Sequence, residues 1–460
     1  MDSILRPIIP PAPKVHARDI STLRLLWDIR RSTIGIWSER AFDELVIMDR
    51  ALGIDSMLLS DPEGIRRVLT TNAANYTRPA TFFRITRPVT GDGLLITEGA
   101  DWKRQRRALA PIFTPSAVGG LLPHFRAAGE SMVGRLEHDS RANLSKTFHE
   151  TALDAVLRAL FSLPVSEDRA SFAAMVRHYT QKLARPSPFD AIARTEAAFP
   201  FSMAARRRFA AGREAAVGSL ITERRKSVGA SHADLLNLLL GLRDPETGAT
   251  LSDAEIGAQC STMLFAGFET TSRLLFWATY LLALDTAEQM RLREEVRAFP
   301  PERVSTLDDL NHWPRLRQTL LEALRLYPPV PNLPREAIAA DEIAGVTLAA
   351  GTQVWISPWI IHRHRILWDN PTAFMPDRFA GKNWSNIPAF LPFGGGPRTC
   401  IGAAFSMTEA QMVFAMLLER FEFTLESERK VIPIATFTTA PDREPMFRLE
   451  PVGGAMRKAA

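Results

Sequence analysis

Between Ser252 and Leu284 the chain carries one uninterrupted helical pattern, and its middle, Ile256 to Phe268, holds no charged residue. Ser252 followed by Glu255 has the spacing of a capping box, in which each side chain satisfies a backbone N–H at a helix start. At about 1.5 Å per residue such a helix extends roughly 50 Å, enough to cross a whole domain. A helix uncharged all round its middle is buried on nearly every side. The fold must be built around it. Helical periodicity dominates the remainder, and strand-like runs are confined to about residues 45–60, 335–357 and the tail after 430. These patterns predict a mainly α fold with a small segregated β-sheet region (α+β). With no Gly/Ser-rich linker and no internal repeat, residues 1–460 read as a single domain, of which 1–20 form a proline-rich lead-in.

The uncharged run ends in Ala266-Gly-Phe-Glu269-Thr270-Thr271. A carboxylate and two hydroxyls inside a buried helix are costly unless they are satisfied or serve a function. Gly267 would thin the helix for a flat ligand, and a threonine hydroxyl can bond back to a carbonyl and open the helix locally. The plain alternative is a satisfied polar cluster at a helix bend.

A second feature supplies the ligand chemistry. In Phe393-Gly-Gly-Gly-Pro-Arg398-Thr-Cys400-Ile-Gly402, three glycines and a proline precede a lone cysteine, and an apolar helical pattern (Ala403 to Leu418) follows it. Such a loop turns sharply and approaches a flat ligand closely. A cysteine at a helix start faces unpaired N–H groups that favour the thiolate, which can serve as an axial ligand for haem iron. Glycine-rich loops also cradle phosphates, but no Lys-Ser/Thr follows here. An inert buried thiol is the other plain reading, and it is the one adopted for Cys260.

The cysteine stretch resembles the haem-binding loop of the cytochrome P-450 family. The Glu269-Thr270 pair resembles that family's oxygen-binding helix, with haem lying between it and the cysteine-loop helix. Glu322 and Arg325, three apart on a helix expected from Pro314 to just before Pro328, would otherwise be an ordinary surface pair. They match the family's Glu-x-x-Arg, which is completed by an arginine in Pro376-Asp-Arg378-Phe379, with Asp where many relatives carry Glu. The resemblance implies a haem-thiolate monooxygenase holding heme b (iron protoporphyrin IX), with Cys400 as the axial ligand of the iron. Trp102, Arg106, Arg335 and Arg398 would hold the haem propionates, and Ala266, Phe393 and Gly402 would line the ring. Thr270 would order the water that delivers protons at the O2 site, and Glu269 would feed them. Phe82, Phe83, Leu94, Leu95, Phe265, Val330, Asn332 and Phe437 would form the substrate pocket. Those residues point to a hydrophobic substrate: a fatty acid, terpenoid or steroid-like molecule.

The same resemblance, with no flavin or ferredoxin segment after the haem region, implies electrons from NAD(P)H through a separate ferredoxin or flavodoxin and its reductase. Lys103, Arg104 and Arg107, otherwise a solvated helix face, would help to dock that partner. Arg206-Arg-Arg208 and Arg224-Arg-Lys226 read as solvated faces. The net charge of +5 is dispersed, which argues against nucleic acid binding. Ile343 to His362 lacks charged side chains, yet two glycines and a proline interrupt it and favour short strands over a membrane span. No signal-peptide core or membrane anchor is expected at the N-terminus, and two cysteines suit the cytoplasm. A monomer is expected. The competing readings are a peroxide-driven haem enzyme and a non-catalytic haem sensor or electron carrier.

Overall fold

The computed structural model describes residues 7–51, 53–162, 179, 183, 200–226, 234–244 and 246–452. Among these the longer helices are α1 (Ala80–Thr90), α2 (Gly99–Leu109), α3 (Leu122–Leu136), α4 (Leu144–Phe161) and α5 (Pro200–Lys226). They continue with α6 (Asp253–Leu284), α7 (Thr286–Ala298), α8 (Pro314–Leu326) and α9 (Ala403–Arg420). The expected central helix is α6. Its capping box is formed: the Ser252 hydroxyl accepts from the Glu255 N–H (3.2 Å), and the Glu255 carboxylate accepts from the Ser252 N–H (2.9 Å).

Helices α1, α4, α5, α8 and α9 all pack on α6, and most of its side chains from Ile256 to Leu282 are buried. Gly267 does thin the helix, but for a neighbour: a Cβ there would stand 3.0 Å from Val156 of α4. The missing side chain lets the two helices approach, and Gly267 also lines the cavity beside α6.

The strands gather apart from this bundle. A five-stranded sheet has the order β1 (Val46–Ala51), β2 (Ile54–Leu59), β8 (Gln353–Ile356), β5 (Leu333–Ala337), β3 (Tyr76–Thr77). Its one parallel pairing joins β2 to β8, in register Ser56 with Gln353. A three-stranded sheet sets β12 (Phe447–Pro451) between β4 (Arg141–Ala142) and β9 (Phe421–Leu425). Two-stranded pairs are β6 (Asp341–Ile343) with β7 (Val346–Leu348), and β10 (Pro433–Ala435) with β11 (Thr439–Pro441). The expected turn at Gly351 is present with φ +82°, although the strands on either side of it pair elsewhere. Strands β3, β4 and β9 lie outside the expected strand regions; β3 and β4 are too short to leave a periodic signal, and β9 follows α9 without a break and reads as its continuation.

The arginine runs expected to be solvated faces are partly structural. Arg206 is buried and donates to the Leu183 carbonyl (3.0 Å). Arg224 pairs with Asp234 (2.8 Å) and donates to the Phe161 carbonyl at the end of α4 (2.7 Å). These contacts tie α5 to its neighbours. Among the described residues no helix is long and apolar enough to cross a membrane.

Candidate active site

The cysteine loop is held by its own backbone. The Cys400 N–H donates to the Phe393 carbonyl (2.9 Å), closing the loop just before α9. Gly394 and Gly396 have φ of +74° and +67°, and a Cβ on Gly396 would fall 1.8 Å from the Leu69 carbonyl oxygen. Only glycine fits there. Cys400 is exposed to a cavity of about 670 Å³. Desolvation by the protein around that cavity pushes its free thiol above the ordinary range, against the opposing effects of the Gly402 N–H and Arg106. The expectation of a helix-lowered thiol is therefore reversed. One N–H and a half-buried arginine do not outweigh burial, so a metal cation would have to complete the thiolate.

All the expected cofactor residues line this cavity: Trp102, Arg106, Ala266, Arg335, Phe393, Arg398, Cys400 and Gly402. One wall is unusually cationic. Arg78, not singled out from the sequence, stands with Arg335 and Arg398 around a single carboxylate, Glu98. Arg78 pairs with Glu98 at 2.7 Å, and Arg398 pairs with the same group while donating to the Thr97 carbonyl (2.7 Å). The Arg398 guanidinium also lies 4.3 Å over the Trp102 ring, a cation–π contact. Burial, then repulsion from Arg78 and Arg398, pushes Arg335 down to about 9. Among the described residues, Arg106 and the Trp102 indole N–H have no hydrogen-bond partner. Excess buried positive charge with free donors is what a group carrying two carboxylates would satisfy. The propionates of haem fit this donor set, as the Cys400 sulfur fits its iron.

The opposite wall is α6. Thr270 lines the cavity, and its hydroxyl donates to the Ala266 carbonyl (2.7 Å), the back-bond expected from the sequence. The helix nevertheless runs through without a break. Glu269 also reaches the wall, but it is not a loose acid. One oxygen accepts from Arg273 (3.0 and 3.1 Å) and from the Thr438 hydroxyl (2.9 Å); the other lies 2.9 Å from His149 Nε2. Burial raises its pKa, yet Arg273, His149 and Thr438 together hold it well below the ordinary carboxylate range. The residue expected to feed protons is thus a carboxylate already engaged by Arg273, Thr438 and His149.

Seven of the eight expected pocket residues line the cavity: Phe82, Leu94, Leu95, Phe265, Val330, Asn332 and Phe437. Phe83 does not; it packs edge-on against Phe82 with ring centroids 6.0 Å apart. Adjacent helical residues point about 100° apart, so one of the pair had to turn away. Phe265 and Phe437 meet across the cavity wall at 5.2 Å. The docking set on α2 is also reduced. Arg104 pairs with Glu255, and Arg107 pairs with Asp244 (3.0 Å) and Glu246 (2.9 Å). Those two arginines fasten α2 to the start of α6 and its preceding loop. Among the described residues only Lys103 of the three is exposed without an ion pair.

The sequence profile of the cytochrome P450 family matches residues 48–446. The chain belongs to the cytochrome P-450 family. It is a haem-dependent monooxygenase, as the names and structures of its relatives bear out. A cytokinin hydroxylase of Arabidopsis thaliana is 30% identical over 79% of this chain and 73% of that protein. A cyclooctatin synthase of Streptomyces melanosporofaciens is 31% identical over 81% of each. A pentalenene oxygenase of Streptomyces avermitilis is 30% identical over 84% of this chain and 86% of that one. The crystal structure of a cytochrome P-450 haem domain superposes with a TM-score of 0.78 at 25% identity, covering 97% of this chain and 98% of that one.

In this P-450 the lead into the cysteine loop is locked by the Glu322 cluster. Glu322 and Arg325 are fully buried on α8 and bonded at 2.7 and 2.8 Å, with Arg378 at 3.2 Å from the same carboxylate. Asp377, the departure from the usual glutamate, reaches out to Arg315 (3.2 Å) and leaves the cluster intact. Sequence reading missed Arg78, Glu98, His149, Arg273 and Thr438. Arg273 is four residues past Glu269 on the same helix, a spacing that signals the pair; the others act through partners far along the chain.

Proposed function

We propose that this P-450 hydroxylates a hydrophobic small molecule of fatty-acid, terpenoid or steroid-like character. Its electrons would come from NAD(P)H through a separate ferredoxin or flavodoxin with its reductase, in the cytoplasm. The observation that carries this reading is that Cys400 and Thr270 open on one cavity whose remaining wall is largely apolar, with Phe82, Leu94, Leu95, Phe265 and Phe437 in it. An apolar wall rewards burial of hydrocarbon at roughly 25 cal/mol per Å² and offers few fixed polar partners. The name of one relative, pentalenene oxygenase, supports a hydrocarbon-like substrate. The presence of both Glu269 and Thr270 favours O2-driven chemistry over the peroxide-driven alternative.

Haem, when bound, supplies the activation of O2, one atom entering a substrate C–H bond and the other leaving as water. Cys400 would supply a thiolate sulfur to the iron, while Trp102, Arg106, Arg335 and Arg398 would hold the group by its carboxylates. The apolar wall would hold the substrate over the ring and keep bulk water out. Thr270 would hold a water by its hydroxyl and so direct protons. Its present bond to the Ala266 carbonyl uses its donor and leaves its acceptor lone pairs available.

The test compares turnover with NAD(P)H, ferredoxin and reductase against turnover with peroxide, on hydrophobic compounds chosen by a haem spin-state binding screen. Product formed with O2 and the electron-transfer partners, together with the strongly red-shifted CO band of thiolate ligation, supports the proposal. Product with peroxide alone, or an imidazole-type CO band, overturns it.

A further inference from the structure

His149 stands on α4, outside the cavity, with both ring nitrogens engaged. Its Nδ1 lies 3.1 Å from the Ser145 carbonyl oxygen, and its Nε2 lies 2.9 Å from Glu269 Oε2. A carbonyl can only accept, so Nδ1 must carry a hydrogen. A neutral imidazole with its hydrogen on Nδ1 presents a lone pair at Nε2. That lone pair would face the oxygen of a carboxylate, acceptor against acceptor. Good geometry on both sides therefore requires one more proton than a neutral histidine and a carboxylate hold between them. The ring is also fixed edge-on to Phe268, with centroids 6.1 Å apart. The other Glu269 oxygen is already filled by Arg273 and Thr438, which leaves the His149 side as the place where that proton resides.

We propose that His149 and Glu269 form a proton-storing pair, in which His149 acts through Glu269 as the proton supply for the Thr270 site. His149 keeps 7% of its surface exposed, Glu269 keeps 1%, and Glu269 and Thr438 both line the cavity that His149 does not reach. The transfer is balanced as a proton relay. The hydrogen on Nε2 passes to Glu269 Oε2, leaving neutral imidazole and a carboxylic acid. The acid releases it to an acceptor in the cavity, and the store refills by the reverse path, a proton taken up by Glu269 from cavity water passing back to Nε2. The Nδ1 hydrogen stays on the Ser145 carbonyl throughout. A 2.9 Å separation is within direct transfer reach. The pair also resolves the difficulty of a saturated Glu269: the carboxylate need not arrive protonated, because its proton waits on the neighbouring ring.

The charged groups around His149 are consistent with this assignment. From α6 they are Glu269 and Arg273; the C-terminal segment contributes the uncharged Thr438. On α4 itself Lys146 and Glu150 pair with each other at 3.8 Å on the exposed side. From α3, Arg135 donates to Thr151 and Ser131. Near the start of α4, Glu444 accepts from Asn143 (2.6 Å). Glu269 is the anion in direct contact with the ring.

The inference rests on the monooxygenase reading only for the use of the proton, not for its presence. Nitrogen NMR on the haem-loaded protein, in its diamagnetic reduced CO form, reads the presence directly. The expected result is a His149 ring with both nitrogens protonated at pH 7.5. In Glu269→Gln, where the amide can donate to a lone pair at Nε2, the ring should become neutral at the same pH. A His149 ring with one protonated nitrogen in the wild type overturns the proposal without any variant having to fold. Use of the proton is read from the pH dependence of turnover with O2 and separate electron donors. His149→Gln should run at least about 10-fold slower and should lose the alkaline fall in rate that marks deprotonation of the ring. If that limb persists in His149→Gln, the ring is a structural cation and the supply role is refuted. Absence of any O2-dependent turnover in the wild type would strike the monooxygenase reading instead and leave the NMR result standing.

Discussion

Replacing Glu322 by alanine strands two guanidiniums near the cysteine loop. Arg325 is fully buried and gives its Nε and Nη2 hydrogens to this carboxylate at 2.7 and 2.8 Å. Its other hydrogens go to the carbonyls of His362, Pro371 and Ala373 at 2.6 to 2.9 Å, so the side chain cannot leave without dismantling that segment. Glu322 also accepts from Arg378 and from the Met375 N–H, at 3.2 and 2.9 Å. Removing one partner of a buried pair costs about 3–5 kcal/mol, against a total stability on the order of 5–15 kcal/mol. An unfolding entropy near 2.1 cal/mol/K per residue gives about 1 kcal/mol/K for a chain of this length, so melting should fall by only about 3–5 K. Local opening is the sharper readout. At about 1.4 kcal/mol per tenfold, the open population of the segment from His362 to Arg378 should rise by roughly two to nearly four powers of ten. Hydrogen exchange at the Met375 amide, measured on haem-loaded protein, reads this directly, and haem retention should fall in parallel. Wild-type exchange at Met375 with full haem occupancy would show that the cluster holds nothing in place.

Cys400→Ser should abolish the thiolate-type CO band, and a normal band in that variant would remove Cys400 from the iron. Thr270→Ala should keep haem content and spin-state response while diverting reducing equivalents from product to hydrogen peroxide, by about 10²-fold or more; unaltered coupling would assign the relay to water alone. Lys103→Glu should slow reduction by an acidic partner at low salt and lose its effect at high salt, whereas Arg104 and Arg107, spent on ion pairs, should act through stability; equal rates for wild type and Lys103→Glu would place docking elsewhere. Glu409, fully buried on α9, makes no hydrogen bond of good geometry, and the Thr271 hydroxyl beside it is shared with Ser406 (3.0 Å). Burial raises its carboxyl well above 4.5, so the folded chain keeps a proton that the unfolded chain releases. That contribution is full below the unfolded value and is lost as pH rises through the folded one. Glu409→Gln should therefore gain stability relative to wild type as pH rises, and parallel stability–pH curves would refute it.

The features legible from sequence were those whose physics is local. The start of α6 is set by a side chain and a backbone group three residues apart, and Glu322 and Arg325 lie within one turn. The cysteine loop announces itself because Gly396 admits no Cβ. What was not legible depends on distant partners or on rotation about an axis. His149 and Glu269 are 120 positions apart, and Thr438 is 169 beyond Glu269. Phe82 and Phe83 are equivalent in composition, and only the phase of α1 decides which one faces the cavity. The helix start beside Cys400 was readable, whereas the burial that overrides its effect on the thiol comes from the assembled fold. Arg104 and Arg107 illustrate the same limit: a basic helical run gives no sign that Glu255, Asp244 and Glu246 will neutralise it.

Apolar packing is non-directional, so by itself it does little to fix where along a 32-residue helix each neighbour sits. Directional contacts do so at each wall of the cavity. Gln259 accepts from the Leu94 N–H (3.1 Å) and donates to Gln105 of α2 (2.9 Å). Glu269 takes hold of His149 of α4 and of Thr438 before β11. Thr271 bonds Ser406 of α9, six residues past Cys400. Thr270 thus lies between two positions that are each pinned to a different wall. A slip of one residue along α6 would break all of these bonds at once and leave buried polar groups unpaired, at about 1–3 kcal/mol for each. The placement of the Thr270 hydroxyl relative to the Cys400 sulfur therefore follows from the bonds of its neighbours, Glu269 and Thr271. That is why costly buried polar groups concentrate at this point of an otherwise apolar helix.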